Sequence, residues 1–305
     1  MPAPPIEIRG LTRTFGRHRG VVEVDLTVEK GEVFGFLGPN GAGKSTTIRI
    51  LMGLYAATSG SARIFGSDVG RMSVDIRSRT GYLPGDLVLY PRMTGRELLD
   101  RFGHVRGLRD TTYRDELVER FDVDLTRPVH TLSKGNKQKI GVVNAFMHRP
   151  ELLVLDEPTD GLDPLLQNEF AQLLAETAGT GGTVFLSSHD LDEVQRVVHR
   201  LAIIKDGRIV VTDTVDGLRA HAPRTIELTF DHDVHPSSVA GLPGVVAVAA
   251  GPRQLQLTLT GPVAPVLRAV ALLDPIDLRA RPADLDELFL GYYRSADSPE
   301  ASRAH

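Results

Sequence analysis

Residues Gly38, Pro39, Asn40, Gly41, Ala42, Gly43, Lys44 and Ser45 set glycines, an amine and a hydroxyl at the spacing GxxxxGK[ST]. That arrangement holds phosphate. The glycines let successive backbone N–H groups turn toward polyphosphate oxygens, the Lys44 ammonium neutralises the β- and γ-phosphates, and the Ser45 hydroxyl is a Mg²⁺ ligand. The motif follows the strand-like run VFGFL at 33–37 and leads into the helical TTIRILMGL that begins at Thr46, so the positive end of a helix also faces the anion. A glycine-rich turn beside an exposed lysine needs only part of this pattern. The full match between a strand and a helix indicates a nucleoside triphosphate site.

A second acidic element is Glu151-Leu-Leu-Val-Leu155-Asp156-Glu157. Its apolar residues read as a buried strand whose end delivers Asp156 to hold Mg²⁺ through water and Glu157 to polarise an attacking water as general base. By themselves, two acids after an apolar run are a common solvated turn; downstream of a complete P-loop they acquire a role. Three of the six lysines, Lys134, Lys137 and Lys139, fall in LSKGNKQK at 132–139. That cluster is open to three readings: a nucleic-acid patch, a solvated helix face or part of the phosphate site.

The elements that position these groups read as α/β. Apolar runs at 33–37, 152–155, 183–188 and 201–210 alternate with helical patterns over the first 218 residues. Between about 86 and 150 the text turns helical, with Thr94 and Asp110 as N-caps for GRELLDRFGHV and TTYRDELVERF. After HAPR at 221–224, alternating strands at 225–230 and 255–260, a helix at 263–273, a short strand LRA and a final helix at 283–294 describe a small α+β domain over 222–294, followed by a polar tail, 295–305, expected to be disordered.

Composition narrows the function. The 305 residues carry a formal net charge of −4 and 41% hydrophobic residues, which supports a sizeable core and gives no general field for nucleic acid. There is no cysteine, which excludes disulfides and thiolate zinc sites. MPAPPIEIRG lacks the features of a signal peptide, and no window approaches the ~18 apolar residues of a spanning helix. The expectation is a soluble, cytoplasmic chain. His232 and His235 in DHDVHP read as a solvated turn.

With LSKGNKQ directly upstream of the LLVLDE strand and His189 after TVFLSS, the chain resembles the nucleotide-binding subunits of ATP-binding cassette (ABC) transporters over residues 5 to about 218. The resemblance implies a RecA-like P-loop core, an antiparallel β subdomain and a helical subdomain. It implies a head-to-tail homodimer, each ATP lying between one subunit's P-loop, Gly38 to Thr46, and the other subunit's signature, Ser133, Lys134, Gly135 and Asn136. Asp163 falls in the dimer-interface loop that the family places at Pro158–Asp163, and His189 is the histidine that contacts the γ-phosphate. Phe15 stacks on adenine by this resemblance; as a residue alone it reads equally as an edge-strand core aromatic. ATP and Mg²⁺ are the implied cofactors.

The sequence departs from the family in two places. Gly85 stands where a glutamine or glutamate usually follows the strand before the helical insertion; the neighbouring Asp86 is the candidate substitute, as a further Mg²⁺ ligand. Lys134 and Asn136 replace a glycine and a glutamine of the signature, while Ser133 and Gly135 are kept. Lys134 lies near the nucleotide or at the rim, and Lys137 and Lys139 are expected to be solvated or to face a partner. The LSKGN signature with a C-terminal extension resembles ABC-2 type drug and antibiotic exporters such as those of daunorubicin resistance. This implies an ATPase, peripheral on the inner face of the cell membrane through a permease supplied in trans, with no nucleic-acid partner. The alternative is a soluble ABC ATPase of translation or DNA repair, against which the single cassette and the absence of a coiled coil count. The C-terminal domain, by resemblance, regulates the motor or helps the subunits associate.

Overall fold

The computed structural model describes residues 3–16, 18–71, 73–260 and 263–280. The helix expected over 283–294 and the polar tail lie outside the described residues. The chain divides into two compact units, Met1–Thr212 and Asp213–His305, six residues earlier than the sequence pattern placed the end of the first domain.

In chain order the first unit contains β1 (Ile6–Phe15), β2 (His18–Val28), β3 (Val33–Leu37), α1 (Lys44–Leu51), β4 (Ser59–Ile64), β5 (Ser67–Asp68), α2 (Val74–Ser78), β6 (Thr80–Leu83), α3 (Gly95–Val105), α4 (Thr112–Arg120), α5 (Lys134–Phe146), β7 (Leu152–Asp156), α6 (Pro164–Gly179), β8 (Thr183–Ser188), α7 (Leu191–Val194), β9 (Arg200–Lys205) and β10 (Arg208–Thr214), the last of which ends just past the division. The run at 201–210 is therefore two strands. Asp206 and Gly207 between them both have positive φ, 49° and 79°, the backbone of a tight hairpin turn.

The strands form an antiparallel sheet in the order β2-β1-β4-β5 and a six-stranded sheet in the order β10-β9-β3-β8-β7-β6. In the second, β3 pairs in parallel with β8 and β9, and β7 with β6 and β8. Every residue of β3, β7 and β8 is buried, as expected of parallel strands covered on both faces. Phe185 packs between Phe34 and Phe36, with ring centroids 6.0 and 5.5 Å away. The consequence for function is topological: the parallel strands end on one edge, and the segments after β3, β6, β7 and β8 leave from it together.

Helix α3 opens with a reciprocal cap: Thr94 Oγ1 accepts from the Glu97 N–H at 3.2 Å, and Glu97 Oε2 accepts from the Thr94 N–H at 2.7 Å. The cap of α4 is one residue later than the sequence suggested, at Thr111. Asp110 instead accepts from the Thr112 N–H and hydroxyl at 2.9 and 2.6 Å. At the end of α3, Arg106 donates to His148 Nε2 at 2.7 Å and to the carbonyls of Arg77 and Thr80, each at 3.4 Å.

The second unit contains α8 (Val215–His221), β11 (Arg224–Thr229), α9 (Ser237–Ala240), β12 (Val245–Gly251), β13 (Gln254–Leu259), α10 (Ala264–Ala271) and β14 (Asp277–Ala280), with an antiparallel sheet in the order β12-β13-β11-β14. Its own core includes Ile226, Leu228, Leu255, Leu257, Leu259, Val266 and Val270. Strand β12 escaped the sequence pattern because VVAVAAG does not alternate apolar with polar residues. Among the described residues no helix is long and apolar enough to cross a membrane.

Burial and the neighbouring Arg106 charge push the His148 imidazole down to about 4. As pH falls below 6.5 the unfolded chain takes up a proton that the folded chain refuses, so stability is intact above that pH and is lost toward pH 4. Chemical denaturation at pH 7 and pH 4.5 is expected to show a loss of about 1–3 kcal/mol from this group. His148→Gln, which keeps an acceptor for Arg106 without titrating, is expected to show a correspondingly smaller loss.

Candidate nucleotide site

Strand β3 lies between β9 and β8, and the chain turns sharply after Leu37. A Cβ on Gly38 would lie 2.4 Å from the Ile204 carbonyl oxygen. Gly43 has φ 113°, and a Cβ there would lie 2.7 Å from the Gly20 oxygen, so only glycine fits either position. Gly43 is the N-cap of α1 and supplies no side-chain cap, leaving first-turn N–H groups for an anion. Pro39, Asn40 and Gly41 form the exposed rim of the loop, Ala42 is buried, and Ser45 and Thr46 are half-buried.

Lys44 is only 5% exposed. Its ammonium donates to the Gly38 and Pro39 carbonyls at 2.5 and 3.3 Å and pairs with Glu157 Oε1 at 3.1 Å. Glu157 follows β7 with φ 48°, a left-handed conformation uncommon outside glycine. Its other oxygen, Oε2, lies 2.8 Å from His189 Nδ1 after β8. One carboxylate thus joins the P-loop lysine to the histidine.

Asp156, at the end of β7, is 1% exposed, and its Oδ1 accepts from the Ser187 hydroxyl at 2.6 Å. The same Ser187 oxygen accepts from the Glu157 N–H at 3.1 Å. Ser187 therefore orients both acids, a role the reading of TVFLSS as a strand did not include; the signal was a pair of hydroxyls closing an apolar run.

Ser133 is the N-cap of α5, its Oγ accepting from the Asn136 N–H at 3.2 Å. Because it accepts inward, its O–H remains available to donate outward. A Cβ on Gly135 would lie 2.6 Å from the Gly161 oxygen, so α5 begins pressed against the 157–163 loop. Lys134 lies along that loop, pairing with Asp160 at 2.6 Å. Asn136 exchanges hydrogen bonds with the backbone N–H and carbonyl of Asp124, both 2.9 Å, fastening α5 to the preceding loop.

Lys139, expected to be solvated or to face a partner, makes an exposed hydrogen bond to the Asp122 carbonyl at 3.1 Å. Gln138, buried and unforeseen, donates to the Pro158 carbonyl at 2.9 Å. Asp163 caps α6, its Oδ1 accepting from the N–H groups of Leu165 and Leu166 at 3.0 and 3.1 Å. Among the described residues no hydrogen bond or ion pair joins Ser133–Asn136 to the P-loop.

Phe15 is 38% exposed and lies outside the buried core. It meets Tyr55 edge-on at 5.7 Å and lies under the Arg13 guanidinium at 4.8 Å. Gly20, which crowds Gly43, also backs onto the Phe15 ring. Asp86 is 88% exposed at its side chain and pairs with Arg49 on α1 at 2.9 Å. Its carboxylate is thus an ion-pair partner, with Gly85 beside it placing its backbone against Asp156. His232 pairs with Asp231 at 2.6 Å, His235 bonds Ser237 at 2.7 Å, and no metal-binding cluster occurs among the described residues.

The ABC transporter family model matches residues 21–160. The chain is 35% identical over 225 residues to the bacitracin transport ATP-binding protein BcrA of Bacillus licheniformis, covering 73% of this chain and 74% of that protein. It is 34% identical over 231 residues to the linearmycin resistance ATP-binding protein LnrL of Bacillus subtilis (strain 168), covering 73% and 74% respectively. A solved ATP-binding subunit of an ABC transporter superposes with a TM-score of 0.65 at 31% identity, covering 70% of this chain and 91% of that one. A dimeric post-hydrolysis cassette bound to ADP and Pi shares the fold, with a TM-score of 0.62 at 22% identity over 69% of this chain and 98% of that one.

The contact at Gly135 is checked by stability. Gly135→Ala forces a Cβ against the Gly161 backbone and is expected to cost about 1–3 kcal/mol in chemical denaturation. Gly179→Ala, at the end of α6 with open space around it, is expected to be neutral or stabilising by up to about 1 kcal/mol.

Proposed function

The chain belongs to the ABC transporter family and is an ATP-binding, ATP-hydrolysing subunit; from that premise we propose that it is the motor of an exporter that drives drugs, antibiotics or other hydrophobic compounds through a separate membrane permease. The observation that carries the catalytic part is the Glu157 carboxylate held between Lys44 and His189 at 3.1 and 2.8 Å. The export part rests on likeness to proteins named for bacitracin transport and linearmycin resistance.

In this reading ATP displaces the loop's own carbonyls from Lys44, whose ammonium turns to the β- and γ-phosphates while N–H groups of residues 41–46 hold the remaining oxygens. Glu157, relieved of Lys44, accepts a proton from water. The water oxygen forms a bond to the γ-phosphorus, the bond to the β–γ bridging oxygen breaks, and ADP and inorganic phosphate result. His189 steadies the γ-phosphate and the orientation of Glu157. Phe15 gives the adenine a face on which to stack.

Ser45 and Asp156 supply hard oxygen donors, the buried carboxylate having only one oxygen bonded to Ser187; these residues would hold Mg²⁺, which would neutralise charge developing in the transfer. Asp86, held by Arg49, is assigned outside that shell. Ser133 and the N–H groups at the start of α5 serve the nucleotide of a second copy of the chain in a head-to-tail homodimer. The chain then sits on the inner face of the membrane through the permease. The C-terminal unit regulates the motor or supports association. The soluble-ATPase alternative draws no support from relatives named for transport and resistance.

Glu157→Gln is the test. Turnover is expected to fall by about 10²–10⁴, and light scattering with ATP is expected to show a stable dimer that disperses when ATP is withdrawn. A variant that stays monomeric and hydrolyses ATP at the normal rate would overturn the reading.

A further inference from the structure

The segment that leaves β6 toward the helical insertion, Pro84–Leu87, is gripped at three consecutive residues. Gly85 lies so close to Asp156 that an added Cβ would sit 3.2 Å from its Oδ2. Asp86 is paired with Arg49 at 2.9 Å. Leu87 fills a notch on α5, where a Cβ on Gly141 would lie 2.6 Å from a Leu87 methyl.

Arg49 stands one helical turn beyond Ser45 on α1, on the same face. The helix carrying the P-loop lysine and hydroxyl is thereby connected, through three residues, to the helix whose N-terminus is Ser133. We propose that Arg49 and Asp86 are positioning residues for hydrolysis: their ion pair sets the spacing between the phosphate-binding helix α1 and the signature helix α5. This rests on the proposed function, in which those helices serve nucleotides.

The surroundings of Arg49 favour such a role. Partial burial draws its guanidinium down, but the Tyr55 hydroxyl and the charges of Asp86 and Asp156 outweigh this and hold it above its ordinary value. Tyr82, next to the segment, is kept neutral, burial and Asp156 pushing its phenol up to about 12. Arg49 is the cation that pairs with Asp86 at 2.9 Å, reaching it from the helix that carries Lys44 and Ser45. The exposure of Asp86 also makes the pair separable from folding, because surface ion pairs contribute little to stability.

The experiment combines steady-state hydrolysis with amide hydrogen exchange on the full chain. Arg49→Gln and Asp86→Asn are each expected to lower kcat about tenfold, as a displaced catalytic geometry does, with KM within about threefold of wild type and unchanged thermal stability. The double variant is expected to be no slower than either single one, since both remove the same contact. Arg49→Lys, which keeps the charge, is expected to retain about half of kcat or more. In the nucleotide-free chain, exchange across residues 83–92 is expected to quicken about tenfold in both single variants.

Wild-type kcat in either single variant, losses that multiply in the double variant, or unchanged exchange would overturn the proposal. If the wild-type chain hydrolyses no ATP, the functional reading fails on its own, and exchange alone decides whether the Arg49–Asp86 link holds the segment.

Discussion

A buried ammonium must find acceptors, and the site is organised around that need at Lys44. At 5% exposure the charge is largely out of water, where an unpaired ion would be strongly destabilising. Two loop carbonyls and the Glu157 carboxylate satisfy it. This requires a loop that curls back over its own lysine, hence glycine at Gly38 and Gly43. It also requires an acid delivered from a neighbouring strand, hence a parallel sheet whose ends coincide. The arrangement is balanced in charge before any phosphate arrives and has ligands that a phosphate can replace.

The same sheet edge decides which parts of the site one chain can assemble. The segments after β3, β7 and β8 bring Lys44, Asp156, Glu157 and His189 into one hydrogen-bonded set, with Ser187 bonded to Asp156 and Glu157. Ser133 and Gly135 belong to a second set, fixed to the 157–163 loop by backbone contact at Gly161, the Lys134–Asp160 pair and the Gln138 bond to Pro158. The two sets share the 157–163 loop, where Gln138 also donates to the Glu157 carbonyl at 3.4 Å, but among the described residues Ser133–Asn136 make no hydrogen bond or ion pair to the P-loop, which agrees with the proposal that they serve a partner's nucleotide.

Much of the first set was legible because its information is local. The spacing of Gly38 to Ser45, the apolar run before Asp156 and the position of His189 after a strand are each contained in a short window. Contacts between distant windows were not legible. Lys134 and Asp160 are 26 residues apart, so the sequence left the lysine between nucleotide and rim, and the exposed bond from Lys139 to the Asp122 carbonyl, 17 residues away, was equally out of reach. Ser187 and Gln138 were missed because a polar residue within a buried pattern resembles an interruption until its partner is seen. In the fold, the 201–210 hairpin and β12 were misread or overlooked for a different reason: the turn is short, and alanine and valine do not mark a face.

If each complete site draws on two chains, as proposed, complementation between two defective variants detects it. Chains carrying Lys44→Ala lack the phosphate loop's cation but keep a signature; chains carrying Ser133→Arg have the opposite defect. Each alone should be inactive. Mixed in equal amounts, half of the dimers should be hybrids with one intact site, so ATP turnover should recover to about a quarter of wild type if sites act independently. A mixture as inactive as its components, with hybrid dimers demonstrably formed, would show that one chain's signature does not complete the other's site.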